Sequence, residues 1–151
     1  MKKTLFFIII ILGLFACKPS LHYEKNIKFE NNNWRKFDNL EFKIPVEAGK
    51  IYSFDANIIT DTNYTRRKLE IGFYLYLPGD EERLEDQTIR IRDLEYHALG
   101  TKTEKGYQIK KSLKNNLLIN ESGILRLQIV QHSQYLDNFG INSIKLSVIE
   151  K

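Results

Sequence analysis

The stretch Leu69-Glu70-Ile71-Gly72-Phe73-Tyr74-Leu75-Tyr76-Leu77 decides the fold. Leu69, Ile71, Phe73, Leu75 and Leu77 are large and apolar, and Glu70, Gly72, Tyr74 and Tyr76 fill the places between. Side chains of a β-strand point alternately to opposite faces, so a period of two puts the five aliphatic and aromatic residues on one core face. The same residues on a helix would be scattered around the axis. The stretch therefore predicts a strand that carries Tyr74 and Tyr76 on its other face. Pro78-Gly79-Asp80 follows as a turn.

Working outward, the alternation recurs. Leu40, Phe42, Ile44 and Val46 alternate with Glu41, Lys43 and Pro45. Tyr52, Phe54, Ala56 and Ile58, then Leu125, Leu127 and Ile129, then Ile144, Leu146 and Val148 do the same. Weaker strand signals lie at 23–29, 88–92 and 117–120. Clusters rich in Asn, Gly and Ser separate these runs at 31–33, 48–50, 121–123 and 138–140. Nothing of twelve residues or more shows a clean helical stripe, and a short helix is expected only at 105–113. About eight strands without a strand–helix rhythm predict an all-β, antiparallel β-sandwich of jelly-roll or immunoglobulin-like kind. Residues 80–114 are charged and irregular, which marks a long loop region and the place to expect a partner-binding surface. Trp34 and Phe37 are expected to staple the first strand onto the core.

The first twenty residues, MKKTLFFIIIILGLFACKPS, have another character. Lys2 and Lys3 precede an apolar run at 5–16, about a dozen residues, where a bilayer-spanning helix needs roughly 20. A basic front, a short greasy run and a small residue before the cut make a cleaved secretory signal. Leu14-Phe15-Ala16-Cys17 resembles the bacterial lipobox and contains the chain's single cysteine. That resemblance implies a diacylglycerol on the Cys17 sulfur, cleavage between Ala16 and Cys17, and acylation (palmitate or similar) of the new amine. Two or more acyl chains make a stable anchor where one holds only marginally. The expected organisation is a lipoprotein signal peptide at 1–16, a lipidated tether at 17–22 and a β-sandwich domain at 23–151. At no more than about 3.5 Å per residue, the tether reaches roughly 20 Å.

Removing residues 1–16 takes away two lysines and lowers the formal charge from +4 to +2. No polybasic stripe remains to suggest nucleic acid. With Cys17 lipidated no disulfide can form, so the core alone must hold the fold, and about 135 residues suffice for that.

The constellations of catalysis are missing. There is no glycine-rich phosphate loop, no G-x-S-x-G elbow and no free thiol in the mature chain. His22, His97 and His132 lie far apart and none has metal-ligand spacing. The acids at 80–86 lack the alternating pattern of a calcium loop, and a solvated turn explains them better. The sequence therefore predicts no enzyme, no cofactor and no metal. Tyr74 and Tyr76 are the candidate binding residues. If their face is wet they could stack on sugar rings or anchor a partner. If both faces of the strand are covered they are packing residues, which the burial habits of aromatic rings favour.

Tyr23-Glu24, Trp34 with Phe37-Asp38, the 69–77 strand closing on Pro78-Gly79-Asp80-Glu81, and Leu99-Gly100 appear in that order after the lipobox. Tyr107-Gln108-Ile109, Asn120-Glu121-Ser122-Gly123, Ile129-Val130-Gln131 and Gly140-Ile141-Asn142-Ser143-Ile144 follow. This order resembles the gliding-motility lipoproteins of the GldH kind from Bacteroidota over nearly the whole chain. Where that family has a Trp before the Leu-Gly step, this chain has Tyr96-His97-Ala98. Where the family is charged after the Gln strand, this chain has His132-Ser133-Gln134-Tyr135. The resemblance implies an envelope lipoprotein needed for gliding, with partners in a gliding or secretion complex and no catalytic residues. No acid follows Cys17 until Glu24, and within this group that implies an outer-membrane anchor facing the periplasm. The alternative from the residues alone is a glycan-binding β-sandwich lipoprotein.

Overall fold

A computed structural model describes residues 20–151. The expected signal peptide with its Ala16, and Cys17, lie outside the described residues. Strands β1 (Ser20–Lys28), β2 (Asn33–Arg35), β3 (Leu40–Val46), β4 (Ile51–Thr60), β5 (Lys68–Tyr76) and β6 (Glu82–Arg90) come first. They are followed by β7 (Thr101–Thr103), β8 (Gly106–Leu118), β9 (Gly123–Gln131), β10 (Asp137–Phe139) and β11 (Ile141–Glu150). A 3₁₀ turn at Glu30–Asn32 is the one helical element among the described residues.

The strands form two facing sheets of order β1-β11-β4-β8-β7 and β3-β9-β5-β6, with β2 and β10 paired apart. All pairings are antiparallel. Of the eight long strands, only β5 and β6 are sequence neighbours in one sheet; every other step crosses between layers. That is the jelly-roll order, and it decides between the two sandwich types that the sequence left open.

The alternation read from sequence is the observed burial. β3 runs strictly buried–exposed, with Leu40, Phe42, Ile44 and Val46 inside. In β5 the five residues from Leu69 to Leu77 at odd positions are buried. Phe54 of β4 meets Phe73 of β5 edge-on between the layers, with ring centroids 6.1 Å apart. Such pairs add about 0.5–1.5 kcal/mol beyond their buried area.

Three expectations are corrected. The expected helix at 105–113 is strand from Gly106 onward, within β8. Ile109, Leu113 and Leu117 are its buried residues, spaced by four as on a helix. Lys111, opposite Ala56, takes the inward place between Ile109 and Leu113, and beyond it β8 bulges twice against β4, between Tyr52 and Phe54 and between Phe54 and Asp55. Each bulge inserts an extra residue and shifts the inward row. Residues 80–114 are not one long loop. β6 lies at the free edge of its sheet with Ile89 as its one fully buried residue, so it carries charge on both faces and shows no apolar alternation. Phe37 is 79% exposed and staples nothing. Trp34 is fully buried and stacks on Phe29 at 5.4 Å, so Phe29 occupies the role expected of Phe37.

The sandwich has two unlike ends. Ser20, the 47–50, 77–81 and 119–122 turns and Lys151 share one end, fixed by the pairings Ser20↔Glu150 and Val46↔Gly123. The 61–67, 91–100 and 132–140 segments share the other. β1 spans the distance between them, roughly 30 Å at strand rise. Residues 20–22, expected in the tether, already belong to the sheet.

Candidate functional site

At the end far from Ser20, three segments frame a groove of about 1030 Å³. Tyr64 to Glu70 lead into β5, Thr88 to Leu99 leave β6, and Ser133 to Asn138 follow β9. Arginines fix its walls. Arg92 Nε donates to the Tyr64 carbonyl at 2.6 Å, Nη1 to Tyr96 at 2.8 Å and Nη2 to Thr62 at 3.1 Å, binding the first segment to the second. Arg66 donates to Asn138 Oδ1, to Ser133 Oγ at 3.1 Å and to the Asp137 carbonyl at 3.1 Å, binding the first to the third.

Behind Arg66 the polar chain runs into the core. Asn138 Nδ2 donates to Gln131 Oε1 at 3.2 Å, and Gln131 Nε2 donates to the Trp34 carbonyl at 2.7 Å. Asn138 and Gln131 are both buried, and buried polar groups are tolerated when paired in this way. Gly140 closes the third segment at φ +91°; a Cβ there would lie 2.8 Å from the backbone of Tyr64, so only glycine fits. Tyr64 itself is buried beneath the groove, and burial pushes its phenol up to about 12, against smaller opposing effects from Arg66 and Asn138.

Two arginine–aromatic pairs line the mouth. The Arg66 guanidinium lies 4.2 Å from the Tyr135 ring centroid and that of Arg67 lies 5.8 Å from Tyr96. Asp93 is bound within its own loop, accepting from the His97 and Glu95 backbone N–H groups at 2.9 Å each. Although partial desolvation works against it, those bonds and the His97 ring hold its carboxyl below the usual range.

The candidate pair Tyr74 and Tyr76 lies elsewhere, on the outer face of the β3-β9-β5-β6 sheet, and both rings are half-buried. The Tyr74 ring is laid down along its own strand over Gly72, where an added Cβ would come within 2.5 Å of it. Its hydroxyl meets His132 Nε2 at 2.9 Å. Burial, Asp86 and Tyr76 raise the Tyr74 phenol above its ordinary value. Arg126 covers Tyr76 at 4.5 Å. The structure does not bring this pair to the groove.

The other titratable candidates are dispersed. His22 sits 3.4 Å from Glu150 and donates through Nε2 to the Pro45 carbonyl at 2.6 Å. Of the acids at 80–86, Glu81 pairs with Arg83 and Glu85 with Lys114. Among the described residues no group of three or more His, Asp or Glu converges as metal ligands would. The sequence reading placed a binding surface in 80–114, and that segment supplies Arg90, Arg92, Leu94 and Tyr96 to the groove. It missed the contributions of Arg66, Arg67 and Tyr135. The run Thr65-Arg66-Arg67-Lys68, three cations directly before a core strand, was the available signal.

Among curated proteins, none matches this chain. Among solved structures the sandwich is similar to PliG of Aeromonas hydrophila, a periplasmic inhibitor of g-type lysozyme. The identity is 15% and the TM-score 0.38, over 87% of this chain and 89% of that one. It is also similar to VP2 in the subviral particle of infectious bursal disease virus, at 14% identity and a TM-score of 0.39, over 88% of this chain and 33% of that one. Neither likeness bears on function. A family model described as GldH lipoprotein matches residues 21–148, from the second residue of β1 to within two residues of the end of β11. The match takes in the whole sandwich, and the chain belongs to the GldH lipoprotein family.

Proposed function

We propose that this protein is a non-catalytic envelope lipoprotein that supports gliding motility and the associated secretion machinery. It is held in the outer membrane by lipid on Cys17 and faces the periplasm. One observation carries the reading: the family match covers the whole sandwich, and its first strand starts at Ser20, three residues after Cys17. A chain fixed at Cys17 has its first strand leading away from the bilayer toward the arginine-rich groove. The end remote from the anchor is then the one presented to other envelope proteins.

Deletion of the gene tests the role. Cells lacking the protein should lose spreading and secretion, and restoring the chain should recover both. A Cys17→Ser chain should persist as an uncleaved or mislocalised precursor and fail to restore them. Normal spreading and secretion in the deleted strain would count heavily against the proposal. Protease treatment of intact cells should leave the domain intact; its removal would place it on the outer surface.

The half-buried Tyr74 and Tyr76 on an outer sheet face support a second reading, a glycan-binding lipoprotein. It requires binding on a glycan array that falls when Tyr74→Ala or Tyr76→Ala is introduced. An array without binding removes it.

A further inference from the structure

The groove carries positive charge that the chain itself leaves uncompensated. Arg66, Arg67, Lys68, Arg90 and Arg92 line it, against the carboxylates of Glu70 and Asp93. Glu70 is paired with Lys68 at 2.5 Å, and Asp93 faces His97. Arg66, Arg67 and Arg92 bond to neutral oxygens instead. The acceptors of Arg92 are backbone carbonyls, those of Arg66 are a carbonyl, an amide and a hydroxyl, and Arg67 donates to the Asp93 carbonyl at 3.1 Å. Among the described residues the arginine found in an ion pair is Arg83, outside the groove. Hydrogen bonds to neutral acceptors orient a guanidinium without cancelling its charge.

Large apolar side chains are exposed around the same mouth. Leu94, 79% exposed, lines it with the exposed Tyr96 and Tyr135, and Leu136, next to Tyr135 in the chain, is 65% exposed. The main chain draws Phe37 into this patch, since Lys36 N–H donates to the Leu136 carbonyl at 2.8 Å. Exposed apolar groups gathered at one place mark contact surfaces, whereas scattered ones do not. Arg and Tyr are also the residue types that most often dominate binding energy at interfaces.

We infer that this groove binds an acidic polypeptide segment of another protein, one that interleaves Asp or Glu with leucine-like or aromatic side chains. Charge complementarity calls for the acids, which would reach Arg67 and Arg90 directly and feel the fixed charge of Arg66 and Arg92. The leucine rim calls for apolar side chains. A sugar would need open aromatic faces, and Tyr96 and Tyr135 each already have an arginine against the ring. The inference rests on the reading that the end away from the anchor is the presented one. It does not depend on gliding.

The test uses the full lipidated chain in detergent micelles and a fluorescent decapeptide alternating glutamate with leucine and tyrosine. The lysine counterpart and a sulfated oligosaccharide serve as controls. Polarisation should show the acidic peptide bound in preference to both controls and released by added salt. The double variant Arg67→Glu, Arg90→Glu should weaken it by at least about tenfold, while Tyr76→Ala leaves it unchanged. Arg67 and Arg90 are both exposed, so the double variant should melt as the parent does. If it melts lower, Arg67→Ala alone serves, with a smaller loss expected. Equal binding of the lysine peptide, binding unmoved by the groove variants, tighter binding of the oligosaccharide or no peptide binding would each overturn the inference. A strain that fails to glide while the purified chain binds no peptide would overturn the groove assignment and leave the proposed role standing.

Discussion

The two ends of the sandwich are built by opposite rules. The anchor-side end is made of tight turns and of ion pairs between chain ends. Lys50 Nζ meets Glu150 at 2.7 Å, and His22 approaches the other carboxylate oxygen. The far end is made of longer segments that cannot pair as strands and are held by arginines reaching to backbone carbonyls. Carboxylates pair with Lys50 and His22 at the first end, whereas at the second no carboxylate among the described residues pairs with Arg66, Arg67 or Arg92. A jelly roll needs only connections at both ends, and the far end carries more than a connection requires.

The comparison can be broken first at Trp34. Its buried ring stacks on Phe29, and its main-chain carbonyl accepts from Gln131 at the inner end of the Gln131–Asn138–Arg66 chain. Trp34→Ala should lower unfolding free energy by about 3–5 kcal/mol in a denaturant titration. It should also open 132–140 to protease before the anchor-side turns. Equal cleavage at both ends would show that the far end has no separate support.

Alkali tests the same end through Tyr64. Its folded value, about 12, lies above the ordinary 10.0, so its neutral form stabilises the fold. Stability from this group is complete below pH 10.0 and falls as pH rises toward 12, by about 2–3 kcal/mol in all. Tyr64→Phe should flatten the alkaline limb of a melting-temperature profile. Arg92→Ala should come next, at about 1.5–3 kcal/mol, because charged hydrogen bonds to carbonyls are lost. Arg92→Lys cannot span three carbonyls and should recover only part.

Gly72→Ala sharpens the contrast between the ends and the sheet face. Alanine suits a strand better than glycine by about 0.5–1 kcal/mol, yet its methyl must lift the Tyr74 ring from the strand and from His132. Stability should therefore change by less than about 1 kcal/mol. The raised Tyr74 phenol should return toward 10.0 in a spectroscopic titration. The smallest effect is expected at Glu150. The hydrogen bond from Lys50 comes first among the causes that hold its carboxyl below 4.5, ahead of opposing desolvation, with Lys50 and His22 charge assisting. Its contribution is present above that value and is lost as pH falls through the lower folded one. Glu150→Gln should remove a small part of the acid limb and leave the far end untouched.

Much of this architecture was legible in the sequence. Residues 69–77 and 40–46 face one layer of water-free core and one outer side, so their alternation survives in the letters. β6 was illegible because an edge strand wet on both faces needs no apolar row. β8 was misleading because a lysine, Lys111, takes one inward place and two bulges stretch the next step, leaving its apolar residues four apart. The groove was half legible. Charge and irregularity pointed to 80–114, but Arg66 and Tyr135 reach the site from segments about seventy residues apart, brought together by the crossing connections of the jelly roll. Tyr74 and Tyr76 stood out as letters, and the structure puts them on an outer sheet face, outside the lining of that groove.

The pairing of β1 with β11 has a mechanical consequence. If the proposed lipid on Cys17 holds one end and a partner sits in the groove, a pull between them runs parallel to the strands. That geometry loads the rungs of the β1–β11 ladder together, in shear, and does not peel them open one by one. Under the proposed anchor, the first strand of the domain is stitched to its neighbour along the direction of such a pull.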